Sequence, residues 1–164
     1  MTIQKPRRAE IAAVPRPSAA EKRDAIVSPL SDSPGFLLRL AQLRVFDEFH
    51  RNFAGLGVTP AGFSVLALIA ANPDIRPGTI AEELRVKPSN VAALVNGLVA
   101  AGLVQRTADK SELRANCLRV TTKGADAWGE MYQTHLATDE RFTAVLSATE
   151  RDALVALLRK LVDR

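Results

Sequence analysis

Apolar residues recur at helical spacing along most of the chain, and the interruptions are turn formers. Ser33 and Pro34 open a first helix, because Ser caps well and Pro suits the first helical position. Phe36, Leu40, Leu43, Phe46, Phe49 and Phe53 then return every three or four residues, one stripe carried to about Ala54. Gly55 and Gly57 end it, and Thr59-Pro60 repeats the opening signal. The helix that follows, Ala61–Ala71, is apolar nearly all round and therefore belongs inside a core. Asn72-Pro73 stops it.

Pro77-Gly78-Thr79 starts a short helix over Ile80–Leu84, and the tight turn Arg85-Val86-Lys87 leads to another over Pro88–Ala101. In the latter, Val91, Leu94, Val95 and Leu98 form the stripe to be buried, while Ser89, Asn90, Ala92, Ala93 and Asn96 fall largely elsewhere. Gly97 costs about 1 kcal/mol against Ala inside a helix, a cost that close packing would justify. Gly102 stands where a left-handed cap belongs. Leu103–Thr107 and Arg114–Thr121 read as short strands around a polar loop, Ala108–Leu113. A long helix over Gly124–Leu146 follows. Ser147-Ala148-Thr149-Glu150 matches a capping box and opens a last helix striped by Leu154, Leu157, Leu158 and Leu161. The order is a helix pair, a helix-turn-helix with a β-hairpin wing, then a second helix pair: a mainly α fold with a small β-hairpin.

Before Ser33 the periodicity fails. Residues 1–33 hold Pro6, Pro15, Pro17 and Pro29 among charges of both signs and read as a flexible basic arm, with a short helix over about Ala19–Val27. Its Lys and Arg side chains could brush DNA, but an ordinary solubilising tail has the same composition. Residues 34–164 read as one domain, since 164 residues sustain one ordinary core. No uninterrupted apolar run approaches the roughly 20 residues that span a bilayer. No apolar segment backs the N-terminal Lys and Arg as a secretory signal would. Cys117 is the lone cysteine, so no disulfide forms within the chain and a reducing compartment is expected. The protein reads as cytoplasmic, with no membrane partner.

The chain has no Gly-rich phosphate loop, no Gly-x-Ser-x-Gly elbow and no metalloprotease His pair, so neither catalysis nor a cofactor is expected. His50, His135 and Cys117 lack a compact ligand spacing, which argues against a metal. Cys117 reads as a small buried hydrophobe rather than a redox sensor. A net charge of +4 is modest; its distribution says more. Seven Lys or Arg and two acids stand between Arg85 and Lys123, a local +5, while the rest of the chain is close to balanced. A single basic surface on such a unit fits a phosphate backbone.

Three runs resemble the MarR family of transcriptional regulators: Ile80-Ala81-Glu82-Glu83-Leu84 through Ser89-Asn90-Val91, then Leu94-Val95-Asn96-Gly97-Leu98, then Gly102-Leu103-Val104-Gln105-Arg106. The wing from Asp109 to Arg114 and the run Leu118-Arg119-Val120-Thr121-Thr122-Lys123-Gly124 resemble it too. The likeness covers roughly Gly35–Arg164. It implies a winged helix-turn-helix whose DNA-binding lobe spans about 59–123, and an obligate homodimer built from the terminal helices, about 34–54 and 124–164. It also implies palindromic double-stranded DNA operators and repression relieved by a small molecule. The wing departs from the family pattern: Glu112 stands where a second Asp is usual and Leu113 where a further Arg is usual, with Lys110 placed to compensate.

In such a unit the helix over Pro88–Ala101 suits a major groove of about 12 Å, and its N-terminal residues should meet base edges. Lys87, Ser89, Asn90, Ala93 and Asn96 are the candidates; as the plain alternative, Ser89 and Asn90 only cap and solvate a helix start. Arg114 on the hairpin can enter a narrow minor groove, held by Asp109 through a charge-assisted hydrogen bond, unless the two form an ordinary solvated pair. Arg106, Lys110, Arg119 and Lys123 would serve phosphates, with Thr59 and Thr79 as further donors or simple caps.

The resemblance further implies an effector site between the dimer helices and the DNA-binding lobe. That region should include Phe36, Arg39, Leu40, Arg44, Phe46, Phe49, His50, Arg51, Phe63 and Trp128, where aromatics beside Arg and His would hold an anionic aromatic compound. Some relatives that control aromatic-acid breakdown respond to acyl-CoA thioesters. A Phe stripe at helical spacing is also simply core. The expectation is a ligand-responsive homodimeric repressor released by a small aromatic acid or its acyl-CoA thioester. The alternative is a winged-helix protein-interaction module without sequence-specific DNA binding, which a salt-independent partner would favour.

Overall fold

The computed structural model describes residues 28–108 and 116–163. The arm over 1–27, with its expected helix near Ala19–Val27, and the wing tip with Asp109, Lys110 and Arg114 lie outside the described residues. Among the described residues the order is α1 (Pro34–Asn52), α2 (Pro60–Ala71), α3 (Pro77–Glu83), α4 (Pro88–Ala100), β1 (Val104–Ala108), β2 (Asn116–Val120), α5 (Thr122–Phe142) and α6 (Ala148–Val162). By its contacts the chain divides after Leu38 into two units. The first contributes a turn, closed by Ser31 and Ser33 N–H groups donating to Ser28 and Leu30 carbonyls, and the start of α1. The second holds everything from Arg39 onward.

Proline opens each of the first four helices, where its missing N–H costs nothing. Thr59 caps α2 by accepting from the Gly62 N–H at 3.1 Å. Its apolar circumference is buried as expected: Phe63, Val65, Leu66 and Ile69 all lie in the core. Ile80 from α3, Val91 and Val95 from α4 and Leu118 from β2 close around it, each fully buried. Phe49 and Phe53, stacked at 3.9 Å between ring centroids, bring the end of α1 against Phe63.

Two helix starts differ from the sequence reading. The α3 helix begins at Pro77 rather than Ile80, so Thr79 lies inside the helix and does not cap it; Pro77, with its φ already helical, draws the start forward. The α5 helix begins at Thr122 rather than Gly124, because the Thr121 hydroxyl accepts from the Gly124 N–H at 2.9 Å and serves as N-cap. It also ends at Phe142, short of Leu146, where the Thr143 hydroxyl bonds back to the Asp139 carbonyl at 2.6 Å. The capping box is present as read: the Ser147 hydroxyl accepts from the Glu150 N–H, and the Glu150 carboxylate accepts from the Ser147 N–H. The Ser147 N–H, joined by the Ser147 hydroxyl at 2.8 Å, holds the Glu150 carboxyl below its ordinary range. Gly97 has open space where a Cβ would sit, so packing within the chain does not require it.

The hairpin pairs Val104 with Val120 through Ala108 with Asn116. A bridge between Ile75 and Leu118 adds the α2–α3 connection to its edge. The apolar stripes of the terminal helices behave differently from the core. In α6 no residue is buried. Leu40, Leu43 and Phe46 on α1 and Leu157 and Leu161 on α6 all stand exposed.

Candidate functional site

The α3–α4 pair is built around a tight turn. Leu84 ends α3, Arg85 takes a left-handed φ of 52°, and the Val86 N–H returns to the Ala81 carbonyl at 3.0 Å. Pro88 then starts α4, whose N-cap Lys87 makes no side-chain bond to the first turn. Val91, Val95 and Leu98 are buried and Leu94 packs partly against them. The opposite side carries Ser89, Asn90, Ala93 and Asn96, all exposed, with Lys87 exposed at the helix entrance. All five base-edge candidates thus lie on solvent-facing positions of α4 or its N-cap.

The basic residues are less uniform than their sequence clustering implied. Arg106 on β1 donates to the Asn96 amide oxygen at 2.8 Å, which ties the strand to α4 and leaves the Asn96 NH2 as that side chain's donor. Lys123 donates to the Ala101 carbonyl at 2.8 Å, a cation on the C-terminal end of α4. Arg85 donates to the Val162 carbonyl at the end of α6 at 2.7 Å. Arg119, expected on a phosphate, is instead held by the Asp74 carboxylate through both Nε and Nη2. Asp74 raises the Arg119 guanidinium further above its ordinary range. Thr107 also donates to Asp74 at 3.2 Å, and the Asp74 N–H reaches the Leu118 carbonyl at 3.0 Å. Both side chains are about half exposed, so the ion pair positions more than it stabilises. It clamps the base of the hairpin to the α2–α3 connection. Asp74 lies 45 residues from Arg119 in sequence, beyond any local charge pattern.

A cleft of about 180 Å³ opens between α1, α2 and α5. Val45, Phe46, Phe49, Pro60 and Phe63 form its apolar walls, and Ser64, His135, Thr138 and Asp139 its polar end. Of the expected effector residues, the structure brings Phe46, Phe49 and Phe63 together here. Arg39 and Arg44 are exposed and do not line it. His50 and Arg51 border a separate open depression with Asp47, and Arg51 pairs with Glu48 at 2.6 Å. Phe36 belongs to the first unit. Of α5 only Trp128 was expected; His135, Thr138 and Asp139 were missed, although Trp128, Met131, His135 and Thr138 recur at helical spacing and could have been read as one inward face. Trp128 does approach the cleft wall, 5.4 Å from Phe63 between centroids. Among the described residues no group of His, Cys, Asp or Glu could hold a metal ion, and no helix is long and apolar enough to cross a membrane. Cys117 is buried in β2.

This arrangement has relatives. The sequence profile of the MarR family matches residues 56–115. A protein of Thauera aromatica, provisionally named as the transcriptional regulator for the hcr operon, is 31% identical over 147 residues, 89% of each chain. The structure of the transcriptional repressor CouR bound to a 23-mer DNA duplex superposes with a TM-score of 0.80 at 33% identity, covering 85% of this chain and 99% of that one. The PcaV regulator of Streptomyces coelicolor, in complex with its natural ligand, superposes with a TM-score of 0.75 at 25% identity, covering 85% and 98%.

Proposed function

Since this chain belongs to the MarR family of transcriptional regulators, we propose that it is a homodimeric repressor of palindromic operators, released by a small aromatic effector. It regulates transcription and is not an enzyme. The observation that carries the proposal is the solvent-facing side of α4, where Ser89, Asn90, Ala93 and Asn96 lie opposite the buried Val91, Val95 and Leu98, beside a basic hairpin. Asn can pair bidentately with adenine, and Ser and the Ala methyl contact bases less selectively. Arg114 at the wing enters the flanking minor groove with Asp109 orienting it, and Arg106 and Lys110 meet phosphates. The repressor CouR, similar over nearly its whole length, holds a DNA duplex, which supports this reading. The PcaV structure with its natural ligand supports a small-molecule effector, for which the cleft between α1, α2 and α5 is the candidate site in this chain. Two copies joined through α1 and α6 present two recognition helices to half-sites about 34 Å apart.

Fluorescence anisotropy at fixed salt tests the proposal. The protein should prefer a duplex from its own upstream region over random duplex by at least about 100-fold; equal affinity would reject sequence-specific repression. Arg114→Ala should weaken the specific complex by about tenfold or more without changing the oligomeric state. Arg119→Ala gives the contrasting result. Because Arg119 clamps Asp74 rather than a phosphate, its loss should leave the salt slope of binding unchanged, whereas each lost phosphate contact lowers that slope by about 1. A flatter slope for Arg119→Ala would return this residue to the phosphate contacts.

A further inference from the structure

The cleft between α1, α2 and α5 has room for one ring, and among the described residues its lining holds a carboxylate but no Lys or Arg. An apolar cavity of about 150 Å³ accommodates benzene; this one measures about 180 Å³. Phe49 and Phe63 supply its walls, and among the described residues its lining includes no Lys or Arg. At the polar end the two hydroxyls offer acceptors, their protons being engaged within their own helices, while the His135 imidazole carries an N–H. A hydroxyl has one proton to give. The Thr138 hydroxyl donates its proton to the Thr134 carbonyl at 2.7 Å, and that of Ser64 donates to the Pro60 carbonyl at 3.1 Å. His135 Nε2 faces the Asp139 carboxylate at 3.4 Å. The polar end thus carries the Asp139 carboxylate with no Lys or Arg among the described lining residues. A carboxylate entering this cleft would lose its water and face the Asp139 carboxylate with no Lys or Arg beside it.

Resting on the effector reading above, we propose that the cleft selects an uncharged aromatic ring bearing a hydrogen-bond donor such as a phenolic hydroxyl, and rejects a free aromatic carboxylate. An aromatic acid enters only with its carboxyl masked as an ester, thioester or amide. Asp139 sets this selectivity as acceptor and as anion repellent.

Trp128 is the single tryptophan, beside the cleft, and reports binding directly. Methyl 4-hydroxybenzoate and 4-hydroxybenzoate differ only in the masked carboxyl. The ester should change Trp128 fluorescence with a Kd at least about 30-fold below that of the acid. Methyl benzoate, lacking the donor, should bind about tenfold more weakly than the hydroxylated ester. Asp139→Asn removes the charge and adds a donor at an exposed position; acid affinity should rise about tenfold while ester affinity stays within about threefold. An acid that binds as tightly as the ester, an unchanged acid affinity in Asp139→Asn, or no ester binding at about 1 mM would each overturn the proposal. The two readings fail separately. A chain that binds the ester but prefers no operator would lose the repressor assignment and keep the selectivity. One that holds its operator and ignores the ester would do the reverse.

Discussion

Replacing Gly124 by Ala is expected to lower the melting temperature by about 10 °C, the fall that a loss of some 3–4 kcal/mol gives in a chain of this size. A Cβ at position 124 would lie 1.9 Å from the Leu103 carbonyl oxygen and 2.8 Å from its carbon. The obstacle is backbone, so no side chain can swing aside. Nor can the backbone retreat cheaply. Thr121 donates its hydroxyl to the Gly102 carbonyl at 2.7 Å and its N–H to the Leu103 carbonyl at 3.0 Å, stapling the first turn of α5 to the exit of α4. Alanine ordinarily gains about 1 kcal/mol over glycine inside a helix, and Gly129→Ala isolates that gain, because its Cβ would meet nothing within 4 Å. Thermal denaturation of both variants separates the effects: position 124 should fall sharply while 129 holds or rises. A Gly124→Ala protein melting with the parent would mean that α5 does not approach Leu103 this closely.

That contact illustrates what the sequence carries and what it conceals. Proline at the starts of α2 and α4, the capping box at Ser147 and Glu150 and the left-handed Gly102 are local devices, each specified within about four residues, and all are legible in the sequence. Helical periodicity also identified the buried stripe of α4 and hence, by subtraction, its exposed face. Periodicity tells which side of a helix is apolar but not what that side will meet. Gly124 read as an ordinary start for α5 because the carbonyl it must clear belongs to Leu103, on another element. Asp74 and Arg119 pair across 45 residues, so counting charge along the chain assigned Arg119 to DNA. The cleft followed the same rule. Its aromatic wall was visible in α1 and α2, while its chemistry comes from His135, Thr138 and Asp139 on α5. Attention to Arg and His on α1 suggested an anion site; the packing of a third helix completes a cleft whose polar end is Ser64, His135, Thr138 and Asp139.

The exposed stripes on α1 and α6 carry the other large expectation. On the homodimer proposed above, Leu157→Asp combined with Leu161→Asp should give a monomer in sedimentation and weaken operator binding by about 100-fold or more. In α6 Leu157 and Leu161 are 59% and 56% exposed, and on α1 Leu40 and Leu43 are 42% and 45% exposed. Contiguous apolar stripes of this kind on a water-exposed face mark a surface meant to be covered. Burying each leucine contributes about 1.5–3 kcal/mol, and a carboxylate in its place must be desolvated without a partner. Operator binding follows dimerisation because joining two recognition helices makes the second half-site contact intramolecular, at an effective concentration of about millimolar. The monomer should bind one half-site with roughly half the salt slope, since about half the phosphates are engaged. Its fold should survive, because neither residue belongs to the core around Leu66, Ile69 and Leu118. Circular dichroism would verify that survival. If the doubly substituted chain sedimented as a dimer and still held its operator at parental affinity, the interface would lie elsewhere on the chain, and α6 would need another reason for its exposed leucines.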